Sequence, residues 1–261
     1  MELAVICIVA LAASALTLFS GFGLGTLLTP VFALFFPIEA AVAMTAIVHL
    51  ANNIFKMGLV GRSAGWSVVL RFGLPAAIAA FAGAGLLVYV ADLAPIASYE
   101  AFGQQRAIAP VKLVIGILII VFALLELSPR FAAIAVPATY LPWGGALSGF
   151  FGGLSGNQGA FRAAFLIKTG LTKEGFIATG VACAVIVDFV RLLVYGAATF
   201  AAHFDALPDG AEGVIGAATL SAFLGAYLGA RMLKKLTLRG VQIVVAIFMA
   251  MVGLGLAAGF V

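Results

Sequence analysis

Eight apolar stretches, at residues 3–20, 38–60, 72–91, 109–125, 131–151, 173–201, 213–230 and 241–260, fill most of this chain of 261 residues. Most of them reach the roughly 20 residues that a helix needs to cross about 30 Å of hydrocarbon. Lipid offers no hydrogen-bond partner to an open backbone, so spanning segments are helices or closed barrels. These runs are too long and too unalternating for barrel strands. Composition agrees: 64% of residues are hydrophobic and 9% charged, against about half and about a quarter in soluble domains. The sequence therefore predicts an all-α polytopic membrane protein whose first partner is the lipid bilayer.

Several function classes drop out early. The formal net charge of +4 sits in short loops, where it acts as a topology signal rather than a nucleic-acid surface. Cys7 and Cys183 both lie inside apolar runs, so neither a disulfide framework nor a thiolate metal site is indicated. Glu2 and the lack of a positive flank argue against a cleaved signal peptide, so residues 3–20 read as part of the mature protein.

The chain repeats itself. "SGFGLG" at 20–25 returns as "SGFFGG" at 148–153, and "EAAVAMTAIVHLANNIFKMGLVG" (39–61) aligns without gaps on "EGFIATGVACAVIVDFVRLLVYG" (174–196). In that alignment Asn53 matches Asp188 and Lys56 matches Arg191. The natural division is a first transmembrane repeat over 1–127 and a second over 128–261.

Charge sets their relative orientation. Lys56, Arg62 and Arg71 follow the long helix of the first half, whereas His203, Asp205, Asp209 and Glu212 follow its counterpart in the second. Basic loops face the cytoplasm, so the repeats are inverted. Inversion needs an odd number of crossings. A broken-helix, re-entrant-like hairpin plus three transmembrane helices in each repeat supplies that number. The hairpins are assigned to 3–37 and 131–171, each an apolar helix, a glycine-rich break and a short apolar piece. "TLLTPVFALFF" (26–36) is about 16 Å long as a helix, half a bilayer. The charge asymmetry suits a bacterial cytoplasmic membrane.

Broken helices at matching places of two inverted halves point to a transport site near the midplane. A half-helix that begins there aims free amides and a positive dipole end inward, which suits an anion. In the second half the donors are Gly156, Asn157, Gln158 and Gly159, joined by Arg162; in the first they are Gly23, Gly25 and Thr26. An arginine at that depth costs about 2.5–3.5 kcal/mol on insertion scales. It therefore either meets a small anionic substrate or fastens the hairpin by pairing with Asp188. His49, Asn53 and Lys56 share one helix face. His49 and Asn53 are candidate substrate ligands, and Lys56 is expected to snorkel to the cytoplasmic interface. Asp188 and Arg191, three apart, either neutralise one another or act in coupling or gating, with His49 as a proton-carrying partner. "GAYLGA" (225–230) and "FAGAGLL" (81–87) read as close helix packing.

The chain resembles the TauE/SafE sulfite exporter family, also grouped as toluene-sulfonate uptake permeases, over nearly its full length. The resemblance is carried by "SGFGLGTLLTP", "AVAMT", "LGAYLGARMLKKL" at 224–236 and "LSGNQGAFRAAFLIKTGL". It implies secondary transport of small sulfur-containing oxyanions, organosulfonates or organic acids.

The preferred mechanism is alternating access around an anion held between the two glycine breaks. No ATP-binding fingerprint is present, so the driving force is an ion gradient, with protons as the coupling ion, or the substrate's own gradient. An anion-selective channel built from the same dipoles is the alternative. A membrane enzyme ranks third, since the intramembrane residues furnish no metal cluster and no nucleophile with its base. No cofactor is indicated. The sequence leaves the oligomeric state open, a homo-oligomer included.

Overall fold

A computed structural model describes residues 1–20, 24–200, 210–232 and 239–261. Helix dominates. The first half runs α1 (Glu2–Ser20), α2 (Leu24–Ala33), α3 (Ile38–Val60), α4 (Trp66–Ala91), a hairpin of β1 (Ala97–Ala101) and β2 (Gln104–Ile108), and α5 (Pro110–Leu127). The second runs α6 (Pro129–Ala132), α7 (Leu141–Ser155), α8 (Gly159–Leu166), α9 (Lys173–Tyr195), α10 (Ala211–Met232) and α11 (Arg239–Ala257). Among the described residues, the helices of α3, α4, α5, α9 and α10 are long and apolar enough to cross a membrane. The chain is an all-α polytopic membrane protein.

Small residues decide which helices touch. Gly145, Gly149 and Gly153 form one row along α7, four residues apart, and a Cβ on any of them would collide with the carbonyl oxygens of Phe72, Ala76 and Ala80, the matching row of α4. The two backbones can approach this closely only because that row lacks side chains, the usual basis of helix association in lipid. Gly225 and Gly229 of α10 meet the Leu11 and Ala15 backbone of α1 in the same way. The packing role expected for "GAYLGA" is therefore borne out. In "FAGAGLL", Gly83 meets the Phe150 backbone whereas Gly85 has open space beside it. Further packing joins α3 to α9 and α5 to α11.

One sequence expectation changes. The apolar run 131–151 is not one helix: α6 stops at Ala132 and α7 starts only at Leu141. Pro137 and Pro142 explain this, since proline lacks the amide a helix interior needs but is accepted in the first turn. The loop before α5 has secondary structure of its own. It holds the β1–β2 hairpin, in antiparallel register Ala97 with Ile108 and Tyr99 with Arg106. Its two-residue turn puts Phe102 at φ 53° and Gly103 at φ 72°, the positive values a twisted hairpin favours. Tyr99 Oη donates to the Ala258 carbonyl at 2.5 Å, and the Arg106 guanidinium lies 5.2 Å over the Phe260 ring, so the hairpin docks on the chain's last residues.

Candidate functional site

The second glycine break exists and has identifiable causes. Gly156 ends α7 in a left-handed conformation, φ 82°, with its amide returned to the Gly152 carbonyl at 2.9 Å. A non-glycine residue pays about 1–2 kcal/mol there. Gln158 N donates to the Gly156 carbonyl at 3.2 Å, the Ser148 hydroxyl caps the Gln158 carbonyl at 2.9 Å, and α8 starts at Gly159. This refines the expected donor set. The Gly156 and Gln158 amides are spent on the turn, while among the described residues those of Asn157 and Gly159 have no acceptor. Phe161 of α8 stacks on Phe151 of α7 with centroids 5.4 Å apart, and Phe122 of α5 sets its edge against both. That aromatic wall fixes the short helix.

The two breaks meet. A Cβ on Gly25, at the start of α2, would lie 3.2 Å from the Gly156 carbonyl oxygen and 3.7 Å from Thr45 Cγ2. Gly23 lies outside the described residues. Thr26 is 1% exposed, and its hydroxyl has no hydrogen-bond partner among the described residues. Thr29 and Thr45 share that condition, and both escaped the sequence reading. A threonine in an apolar run usually returns its hydroxyl to its own helix. Only the packing of α2 on α3 reveals that these three hydroxyls turn inward unpaired.

Asp188 is the hub. Its Oδ2 accepts from His49 Nδ1 at 2.6 Å and from Asn53 Nδ2 at 3.0 Å. Its Oδ1 takes Gln158 Nε2 at 3.3 Å and pairs with Arg191 Nη2 at 2.9 Å. Three hydrogen-bond donors and one ion pair surround the carboxylate. With Nδ1 donating to Asp188, the His49 tautomer is set and Nε2 is left as its acceptor. Thr172 caps the start of α9 by accepting from Gly175 N at 3.1 Å, which holds the α9 face that presents Gly180, Asp188 and Arg191.

Arg162 does not pair directly with Asp188. Its Nη1 donates to Gln158 Oε1 at 3.1 Å, and its Nε would be 3.4 Å from a Cβ on Gly180, so it lies half-buried across a groove in α9. Gln158 thus links Arg162 to Asp188. Asn157 donates to the Ser155 hydroxyl at 3.1 Å. Lys56 overturns an expectation: it is 4% exposed rather than snorkelling, because its helix position turns it into the protein, where Nζ reaches the Asn52 amide oxygen at 3.1 Å once that amide is turned to satisfy its neighbours. Cys7 and Cys183 are free thiols. Among the described residues no three His, Cys, Asp or Glu side chains gather as a metal site would require.

The model of the family described as "Sulfite exporter TauE/SafE" matches residues 6–256. The chain belongs to the TauE/SafE sulfite exporter family. No curated protein and no solved structure matches it. TauE/SafE membership makes the protein a membrane transporter of the class that moves sulfur anions, and the network just described lies within the family match.

Proposed function

We propose that this TauE/SafE member is a secondary transporter that carries a small sulfur oxyanion, an organosulfonate or a small organic acid by alternating access, with its site between the starts of α2 and α8. The observation that carries the reading is the contact of Gly25 with the Gly156 carbonyl. It brings two helix N-termini, which favour negative charge, against one buried polar network.

The packing of the helices supports the division into repeats 1–127 and 128–261. Exchanging α1 with α7, α3 with α9, α4 with α10 and α5 with α11 turns each major contact into another: α4 on α7 becomes α10 on α1, while α3 on α9 and α5 on α11 map onto themselves. The alignment-matched pair Asn53 and Asp188 is itself in contact, at 3.0 Å. A twofold axis between two copies of a unit brings matched residues together in this way, and with the loop charges it favours the inverted arrangement in a bacterial cytoplasmic membrane. Such a pair of units can rock around the shared site.

Coupling to protons rests on His49. Its Nε2 is the atom on which a carried proton would sit, next to Asp188 and Arg191, whose ion pair would loosen or tighten with it. Arg162 supplies positive charge at the side of the site reached through the Gly180 groove.

Flux into proteoliposomes tests the proposal, using sulfite, thiosulfate, benzenesulfonate and acetate on wild type and Arg162→Ala. Saturable uptake of a sulfur anion, accelerated by the same anion preloaded inside and abolished in the variant with folding intact, is expected. Ohmic current without exchange would make the protein a channel, and normal flux in Arg162→Ala would return that arginine to a structural role.

A further inference from the structure

Arg191 is among the largest fully buried side chains in the molecule, at 0% exposure, deeper than Arg162. Its surroundings account for only part of its hydrogen bonding. A guanidinium carries five N–H donors. Asp188 forms an ion pair with Nη2, and the Tyr195 hydroxyl, which gives its own proton to the Gly153 carbonyl, is hydrogen-bonded to the guanidinium as well. Apart from that hydroxyl, Nε and Nη1 have no hydrogen-bond acceptor among the described residues, so the fork still carries more donors than acceptors. Nη1 points at the break: a Cβ on Gly156 would stand 2.7 Å from it. Gly156 is thus the common neighbour of Arg191 on one side and, through its carbonyl, of Gly25 on the other. Thr45 stands at Gly25 there, Cγ2 3.7 Å from where its Cβ would be, with Thr26 the next residue of α2 and Thr29 one turn further on; each is at most 2% exposed, with a hydroxyl that has no partner among the described residues.

Buried donors without acceptors cost about 1–3 kcal/mol apiece, and native proteins hold few of them. Several gathered at one point, one of them cationic, have a common explanation in an acceptor that arrives from outside. Resting on the transport reading above, we infer that Arg191, with the hydroxyls of Thr26, Thr29 and Thr45, binds the oxygens of the transported anion directly. The ligand is a compact oxyanion with several oxygens on one centre. Such a group accepts a guanidinium on one side and hydroxyls on the others, and a ligand met by donors on both sides has no free side from which an aromatic ring could extend. Arg162, half-buried and engaged with Gln158, then guides the anion rather than holding it.

Titration calorimetry of the full-length protein in detergent, with sodium sulfite as the probe, tests this. Wild type is expected to bind saturably. Arg191→Lys keeps the charge beside Asp188, so the fold survives, but it loses the planar fork and should bind at least ~10-fold more weakly. Thr45→Val and Thr29→Val, close in shape, should each lose about 5-fold, the worth of one hydrogen bond. Benzenesulfonate at the same concentration should not displace sulfite. Wild-type affinity in Arg191→Lys and in both valine variants, or effective competition by benzenesulfonate, overturns the assignment while leaving transport through the breaks standing. Absence of sulfite binding in wild type would also overturn the assignment, while flux of another anion in proteoliposomes would still leave the transport reading standing.

Discussion

His49 of α3 and Asp188 of α9, 139 positions apart in the chain, are joined by a 2.6 Å contact between Nδ1 and Oδ2. The bond ties the matched helices of the two halves together at the point where Gln158, from the second helix break, also reaches the carboxylate. Removing Asp188 would leave Arg191 buried beside no counter-charge. Asp188→Ala should cost about 3–5 kcal/mol, as for other broken buried pairs, whereas Asp188→Asn, which still accepts from His49, should cost less. Thermal unfolding in detergent reads the difference, and equal melting of the two variants would show that Asp188 contributes through its charge alone and not through the hydrogen bond from His49.

Proton coupling through His49 makes a separate prediction. Glutamine at 49 can still donate to Asp188 but cannot carry a proton. His49→Gln should therefore retain anion exchange across proteoliposomes while a lumenal pH dye no longer reports proton movement with the anion. Unchanged proton movement in that variant would exclude His49 as the carrier.

Gly156 combines a φ of 82° with the nearness of the Arg191 guanidinium. Gly156→Ala should lower stability by about 1–2 kcal/mol through backbone strain alone. It should also lower sulfite flux further than that loss explains, because the new methyl displaces Nη1. A variant with wild-type flux would separate the break from the site.

The packing rows give a matched pair. Gly149 meets the Ala76 backbone, while Gly85, also inside a helix, has open space beside it. Gly149→Ala should force α7 away from α4 and reduce folded yield. Gly85→Ala should be neutral or gain up to about 1 kcal/mol from helix propensity. Melting temperatures of the two variants check the contrast.

What the sequence revealed and what it hid follow from where the information lies. Apolar run lengths placed the helices, and "SGNQG" located the second interruption, because glycine in a left-handed cap is a local requirement. The match of Asn53 with Asp188 also foreshadowed a contact. Arg191 as an unsatisfied donor was not legible, since the offset from Asp188 reads as a self-contained pair until the rest of the guanidinium is seen facing Gly156. Lys56 misled for another reason: snorkelling follows from depth in the membrane, whereas the face Lys56 shares with His49 and Asn53 packs inward and buries all three. The β1–β2 hairpin was not legible either, because its strands are five residues each and the "FG" between them is not one of the Asn-Gly, Asp-Gly or Gly-Gly pairs that announce such a turn.

The central claim is that the starts of α2 and α8 enclose one anion. Anomalous scattering from crystals grown with selenite, a heavier counterpart of sulfite, tests it most directly. The account predicts a selenium peak beside the Gly25–Gly156 approach, with oxygens about 3 Å from the Arg191 nitrogens or the threonine hydroxyls. A peak held elsewhere, or an unbroken helix running through residues 153–162, would contradict it.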